Sequence, residues 1–289
     1  MNYMQLGATL FIPASHKRLQ SIISQKRYPA LKSLVIDFED GLEENEFENA
    51  MVTIDSHLQK ITSESPFVFI RAKDVGHLQE LLKLKYINNV IGFVLVKFSL
   101  VSAEAYLKTL AQKNHKIMPS IEGEELFNHE KLHKLKELII TNKHKVLLVR
   151  FGLEDMLRQL SMRRKCDESI FDFSATATIV GNFIATFKSA GFGVSGGVYP
   201  CYKDTEGFIS DVKRDIKEGL FSKTIIHPSQ IEAISNLYKV TKEEYEEALA
   251  LVNSEKKVFT LNGKMAESVT MSSYSQELLQ RAKIYGVHC

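Results

Sequence analysis

Carboxylates recur in this chain at the ends of short apolar runs, where burial makes them costly unless they are paired or used. Asp37 and Glu39 close one such run, Glu122 closes another, and Asp155 follows a third. Two cations occupy equivalent places, Arg71 after residues 67–70 and Lys97 after residues 91–96. Oxygen donors without clustered histidines or paired cysteines suit a hard cation. Mg²⁺ takes one or two carboxylates and leaves room for water and substrate oxygens, so it is favoured over zinc. Such an ion polarises a carbonyl and stabilises an enolate, and the planar fork of Arg71 matches a carboxylate or enolate oxygen at two points.

These residues need a scaffold that brings run ends together. Apolar runs fall at residues 8–12, 34–36, 67–70, 91–96, 117–118, 146–149, 193–198 and 224–226. Most are continuous rather than alternating, as expected for strands covered on both faces of a parallel sheet. Helical spacing lies between them. Leu78, Leu81, Leu82 and Lys85 mark one helix, Leu132, Leu135, Leu138 and Ile139 a second, and Phe183, Ile184, Phe187 and Ala190 a third that stops at Gly191. Alternating strands and helices predict an α/β fold, a (β/α)8 TIM barrel, whose active site forms at the C-terminal strand ends. The candidate residues stand at those ends. The barrel is expected over 1–238. A C-terminal helical extension follows over 239–289, with a helix at 241–251 capped by Thr241, a loop at Asn262-Gly263 and a last helix near 274–284.

Bulk properties narrow the class. The 289 residues are 44% hydrophobic and 25% charged with a net charge of +2, ordinary for a globular protein and without the basic excess of a nucleic-acid partner. No apolar run approaches the roughly 20 residues of a membrane span, and no secretory leader is apparent. Cys166, Cys201 and Cys289 are odd in number and lack CxxC spacing, which predicts neither a disulfide framework nor a zinc site and suits a reducing cytoplasm.

Six segments in order resemble one family. They are Leu10-Phe11-Ile12-Pro13, Val35-Ile36-Asp37-Phe38-Glu39-Asp40, Phe69-Ile70-Arg71, Pro119-Ser120-Ile121-Glu122, Phe151-Gly152-Leu153-Glu154-Asp155 and Ile226-His227-Pro228-Ser229-Gln230-Ile231. The chain resembles the citrate lyase β-subunit (CitE-like) group of the HpcH/HpaI aldolases, with malyl-CoA and citramalyl-CoA lyases, over about residues 8–285. The resemblance implies a Mg²⁺-dependent carbon–carbon lyase acting on a 3-hydroxy acid or its acyl-thioester and releasing an α-keto acid. It assigns Glu122 and Asp155 to the metal and Arg71 to the substrate's oxygens. Asp37 and Glu39 would line the pocket and order water or Arg71. Gly263-Lys264-Met265-Ala266-Glu267 matches a loop that reaches a neighbouring subunit, with glutamate in place of aspartate. Glu267 is thereby the acid/base candidate supplied in trans, and a closed homo-oligomer, a trimer, is implied.

At the first run the family's Pro-Gly is Pro13-Ala14 here, while Lys17 and Arg18 keep positive charge near the place of the coenzyme A phosphates. Either coenzyme A is bound differently or the acyl carrier is something else. Alternatives remain a carrier-free aldolase, a thioester hydrolase on the same site, and a non-catalytic scaffold subunit. Single residues also have structural readings. Asp37, Glu39 and Arg71 form a salt-bridge network in one of them, His227 orders a loop, and Lys97 is a structural charge rather than a Schiff-base lysine.

Overall fold

Strands form where β-branched and aromatic residues run together. In the computed structural model, which describes residues 1–288, they are β1 (Thr9–Pro13), β2 (Ser33–Asp37), β3 (Phe67–Ala72), β4 (Gly92–Leu95), β5 (Lys116–Ile121), β6 (Arg150–Phe151) and β7 (Thr224–Ile225). All pair in parallel, in the order β6-β5-β4-β3-β2-β1-β7. Every residue of β2 and β4 is buried, because the sheet has packed side chains on one face and helices on the other. The helices lie in the connections, among them Phe47–Leu58, His129–Ile140 and Ser174–Lys188. The last is followed by Gly191 at φ +76°, a left-handed position that ends the turn.

The seventh run is not a regular strand. Residues 193–197 contain Gly193, Gly196 and Gly197, and they meet their neighbours through single bridges, Val149↔Val194 and Ser195↔Phe221. Ser195 N–H donates to Val149 O at 3.1 Å and Gly196 N–H to Phe221 O at 3.0 Å, so this segment still joins β6 to β7 and closes the ring. The fold is a (β/α)8 TIM barrel with one irregular stave. Glycine is required there because backbone and buried side chains approach closely. A Cβ on Gly193 would lie 2.5 Å from the Tyr3 ring. The sixth run is likewise corrected, since residues 146–149 carry isolated bridges and the ladder itself falls at Arg150–Phe151.

The barrel interior is filled from below by Leu6, Val35, Phe69, Val94, Met118 and Leu148. Strand side chains alternate with a period of two. Two residues beyond Val35, Phe69, Met118 and Leu148 come Asp37, Arg71, Ser120 and Arg150, which places them one layer higher at the C-terminal mouth. The packed layer thus fixes which residues face the site.

The chain divides into two compact units, Met1–Ile231 and Glu232–Cys289. In the second, Lys242–Asn253 begins with a capping box between Thr241 and Glu244, and Ser272–Tyr285 ends the described residues' helices. Val240, Ala248, Leu278 and Ala282 form its core. The expected loop at Asn262-Gly263 is the turn of a hairpin, β8 (Val258–Leu261) with β9 (Lys264–Glu267). Both turn residues have positive φ, +50° and +74°, as a tight hairpin turn demands. The extension is therefore not wholly helical.

The cysteine reading is also corrected. Cys166 and Cys201 form a disulfide with Cα atoms 5.7 Å apart across a sequence separation of 35. Spacing in the sequence says nothing about loops that the barrel brings together, and this bond removes the thiol argument for a reducing compartment. Cys289 lies outside the described residues. Among the described residues no helix is long and apolar enough to cross a membrane.

Candidate active site

Asp37 ends β2 with both carboxylate oxygens engaged. Its Oδ1 accepts from Glu39 N–H at 3.0 Å and its Oδ2 from Gly41 N–H at 3.0 Å, folding the following loop back over the strand. The same oxygens receive Arg71 Nε and Nη2, each at 2.6 Å, in a two-point pair from β3. Arg71 Nη1 stands 3.1 Å from Glu39 and 3.1 Å from Asp40. Glu39 in turn holds Lys97 Nζ at 2.9 Å. Burial works against the Arg71 cation, but its bonds and charge pairing with Asp37, then Glu39 and Asp40, outweigh that and keep it more firmly protonated than a free arginine. All three nitrogens of Arg71 therefore face protein carboxylates. Its two-donor edge, which the sequence reading assigns to substrate, belongs to Asp37.

Glu122 follows β5 and is 8% exposed. Its Oε2 accepts the Lys97 backbone N–H at 3.2 Å. Burial raises its pKa to about 7, helped by the charges of Glu39 and Asp155 and opposed by a hydrogen bond from Ser120 and by Arg71. Gly152, just past β6, makes room for it, because a Cβ there would run into the Glu122 side chain. Asp155 lies in the first turn of the helix Leu153–Gln159, where its Oδ1 accepts from Arg158 Nη2 at 2.8 Å.

One cavity of about 580 Å³ takes in Asp37, Arg71, Glu122, Asp155, Ser120 and Arg150. Glu39 and Lys97 are not among the residues that line it. Lys17 and Arg18 line a separate groove of about 410 Å³ with Arg27 and Tyr28, and Pro13 borders both spaces. Glu267 lies on β9 of the second unit, where its Oε2 accepts from Thr270 Oγ1 at 2.9 Å. His227 bonds Ser229 through Nδ1 at 2.8 Å and stacks on Tyr202, which makes it a loop-ordering residue.

A family model described as a C–C bond lyase of the TIM-barrel fold matches residues 1–287. The chain belongs to that family. Among curated proteins, the citrate lyase β-subunit of Escherichia coli (strain K12) is 25% identical over 146 residues, 48% of this chain and 46% of that protein. That of Haemophilus influenzae is 30% identical over 142 residues, 47% of each. The chain thus spans about half the length of these relatives. A mitochondrial citramalyl-CoA lyase from Mus musculus is 21% identical over 319 residues, 97% of this chain and 85% of that one. The crystal structure of CitE from Mycobacterium tuberculosis in complex with magnesium, acetoacetate and coenzyme A has a TM-score of 0.72 at 19% identity, covering 97% of this chain and 99% of the other. At that identity the likeness establishes the fold.

Within this C–C bond lyase barrel, sequence reasoning passed over two residues that the structure puts on the cavity wall. Ser120 touches Glu122. Arg150 is 3% exposed and donates from Nη1 to Thr224 Oγ1 at 2.8 Å. Burial, with Arg71 nearby, lowers its pKa to about 9. The signal for Arg150 was present: an arginine directly continuing Val146-Leu147-Leu148-Val149 is a charge inside a buried strand.

Proposed function

We propose that this protein is a Mg²⁺-dependent carbon–carbon lyase that cleaves, or in reverse condenses, a 3-hydroxy acid or its acyl-thioester and releases an α-keto acid. One observation carries the reading: Glu122 and Asp155 share a cavity wall at the C-terminal mouth with a locked Arg71. Their fit to Mg²⁺ rests on chemistry. Both are hard oxygen donors, and burial together with the Asp155 charge resists ionisation of Glu122, which is the condition a divalent cation relieves. Among the described residues no group of three or more His, Cys, Asp or Glu assembles, so the pair would hold the ion with water and substrate oxygens. When bound, the metal supplies Lewis acidity toward the keto acid's carbonyl.

The protein's own groups position and shield. Asp37 fixes the guanidinium plane of Arg71, which contributes positive potential beside developing oxygen charge without reorganising. Glu39 and Asp40 restrain Arg71 Nη1, and Lys97 balances Glu39. Glu267 of a neighbouring subunit is the proton-transfer group in this reading. The exposed apolar side chains on and beside the same hairpin, Val258, Met265 and Val269, support an interface there in a homotrimer. Lys17 and Arg18 line the groove next to Pro13, a suitable seat for the phosphates of a coenzyme A thioester.

Calorimetric titration with Mg²⁺ and pyruvate, glyoxylate or oxaloacetate tests the centre. Metal-dependent binding should disappear in Glu122→Ala/Asp155→Ala. Wild-type protein that binds no metal would remove the lyase mechanism and favour a scaffold. Coenzyme A binding that is insensitive to Lys17→Ala/Arg18→Ala would reject that groove, and no coenzyme A binding at all would favour a carrier-free aldolase.

A further inference from the structure

Among the described residues, one buried guanidinium, that of Arg150, has no protein carboxylate beside it. Arg150 enters from β6 one layer above Leu148, and its Nη1 is satisfied by Thr224. Its Nε and Nη2 are buried and have no hydrogen-bond partner. Those two donors form one edge of the planar group, the edge that matches two oxygens of a carboxylate or phosphate side-on. Arg71 shows the match within the same molecule, because its own Nε and Nη2 hold the two oxygens of Asp37. The charge that acts on Arg150 is another cation, Arg71, and the two guanidinium carbons stand 5.2 and 5.5 Å from the Phe11 ring centre. A buried, uncompensated charge is strongly unfavourable. The layer beneath is entirely apolar, so an apolar side chain at this position would pack without that cost. A buried cation with an unpartnered two-donor edge, in the lining of the same cavity as Glu122 and Asp155, calls for an anion from outside the protein.

We propose that Arg150 binds a second anionic group of the substrate, a carboxylate or a phosphate, side-on through Nε and Nη2. It thereby selects keto acids with a terminal acid over simple ones. This rests on the keto-acid reading of the pocket: the reacting head lies toward Glu122, Asp155 and Arg71, and the tail descends past Ser120, whose Cα is the register partner of Arg150. Arg71 cannot serve the tail in its place, because Asp37 occupies the corresponding edge.

Pyruvate, oxaloacetate and 3-phosphonopyruvate share one head and differ only in the terminal group. Calorimetry with Mg²⁺ should show one of the latter two binding wild-type protein about ten-fold or more tighter than pyruvate, the scale of one charge-assisted pair. Whichever acid binds tighter identifies carboxylate or phosphate. Arg150→Met should bind all three alike, and Arg150→Lys should keep part of the preference. Equal affinities in the wild type, or a preference that survives in Arg150→Met, would overturn the proposal. A second readout needs neither metal nor variant: the Arg150 Nε–H resonance of ¹⁵N-labelled wild-type protein, titrated with succinate and with methylphosphonate. Were pyruvate not to bind with Mg²⁺ while that resonance shifted, the keto-acid reading would fall and the Arg150 site would stand. A resonance that neither acid moves counts against the site itself.

Discussion

Glu122 couples the chemistry of the site to stability. Its pKa is about 7 in the folded protein against 4.5 ordinarily, with burial as the main cause. A carboxyl whose pKa is raised on folding stabilises the native state while it is protonated. That contribution is complete below the unfolded pKa and is lost as pH rises through the folded one. Without metal, this contribution should therefore fall between pH 4.5 and 7, by up to about 3 kcal/mol, while buried His77, whose pKa is lowered to about 4, adds stability over the same interval and offsets it in the wild type. Glu122→Gln removes the ionisation. In EDTA at pH 8 the variant should withstand more urea than the wild type, whereas at pH 4.5 the two should unfold at nearly the same concentration. The same variant should lose Mg²⁺ binding. A difference between the Glu122→Gln and wild-type midpoints that is the same at both pH values would show that Glu122 ionises freely and is not poised for a cation. Asp37 illustrates the opposite case, in which a carboxylate lining the candidate site is fully committed to protein donors and holds Arg71. Sequence reading located both residues correctly at strand ends. It had no means to separate these roles, since the difference lies in which hydrogen bonds each oxygen makes.

At the scale of elements, the parallel strands β1 to β5 were legible because burial on both faces leaves continuous apolar runs. The stave at 193–197 was legible as a weak strand from its three glycines, but its position was not, because that depends on a buried polar network behind it. Lys223 Nζ donates to Gly197 O at 2.9 Å and pairs with Asp211 and Asp215 at 2.6 Å each, while Arg164 holds Val198 O and Asp211, both at 2.8 Å. These partners are far apart in sequence, so no local pattern announces them. The β8–β9 hairpin was a different kind of miss, for Asn262-Gly263 beside Val258-Phe259-Thr260-Leu261 is a readable turn signal. Loops also set the site through small residues. Gly152→Ala places a Cβ against Glu122 and should cost about 1–3 kcal/mol of stability, while weakening Mg²⁺ about ten-fold or more through displacement of the carboxylate. Gly181→Ala, in the exposed face of the helix Ser174–Lys188 with nothing within 4 Å of the added atom, should instead raise stability by about 0.5–1 kcal/mol. Thermal melts of the two variants, with Mg²⁺ titrations, compare the effects directly. Equal melting shifts would mean that the contact with Glu122 is relieved elsewhere.

For the whole molecule, covalent and assembly constraints lie beyond what local sequence reveals. The Cys166–Cys201 bond closes a loop with a sequence separation of 35, and restricting the unfolded chain by that much is worth about 3–4 kcal/mol in the loop-entropy account. Cys166→Ser/Cys201→Ser should lower the urea midpoint accordingly, and dithiothreitol should do the same to the wild type but not to the variant. An unchanged midpoint would mean that the folded state gains nothing from the bond. Assembly is the larger question, because the proposed proton-transfer group sits outside the barrel's own unit. If Glu267 acts on a neighbour, inactive Glu122→Gln and inactive Glu267→Gln proteins should rescue each other once their subunits exchange. A working site then needs an intact barrel from one variant and an intact hairpin from the other. Random equal mixing produces that combination at about a quarter of all sites, the product of two one-half chances in a closed ring. Activity after denaturing and refolding the mixture should therefore approach about a quarter of wild type, with none in either protein alone. A mixture as inactive as its components would assign Glu267 to its own subunit or remove it from the chemistry. Glu267→Gln protein that is fully active by itself would leave the proton-transfer role to a group within the barrel cavity.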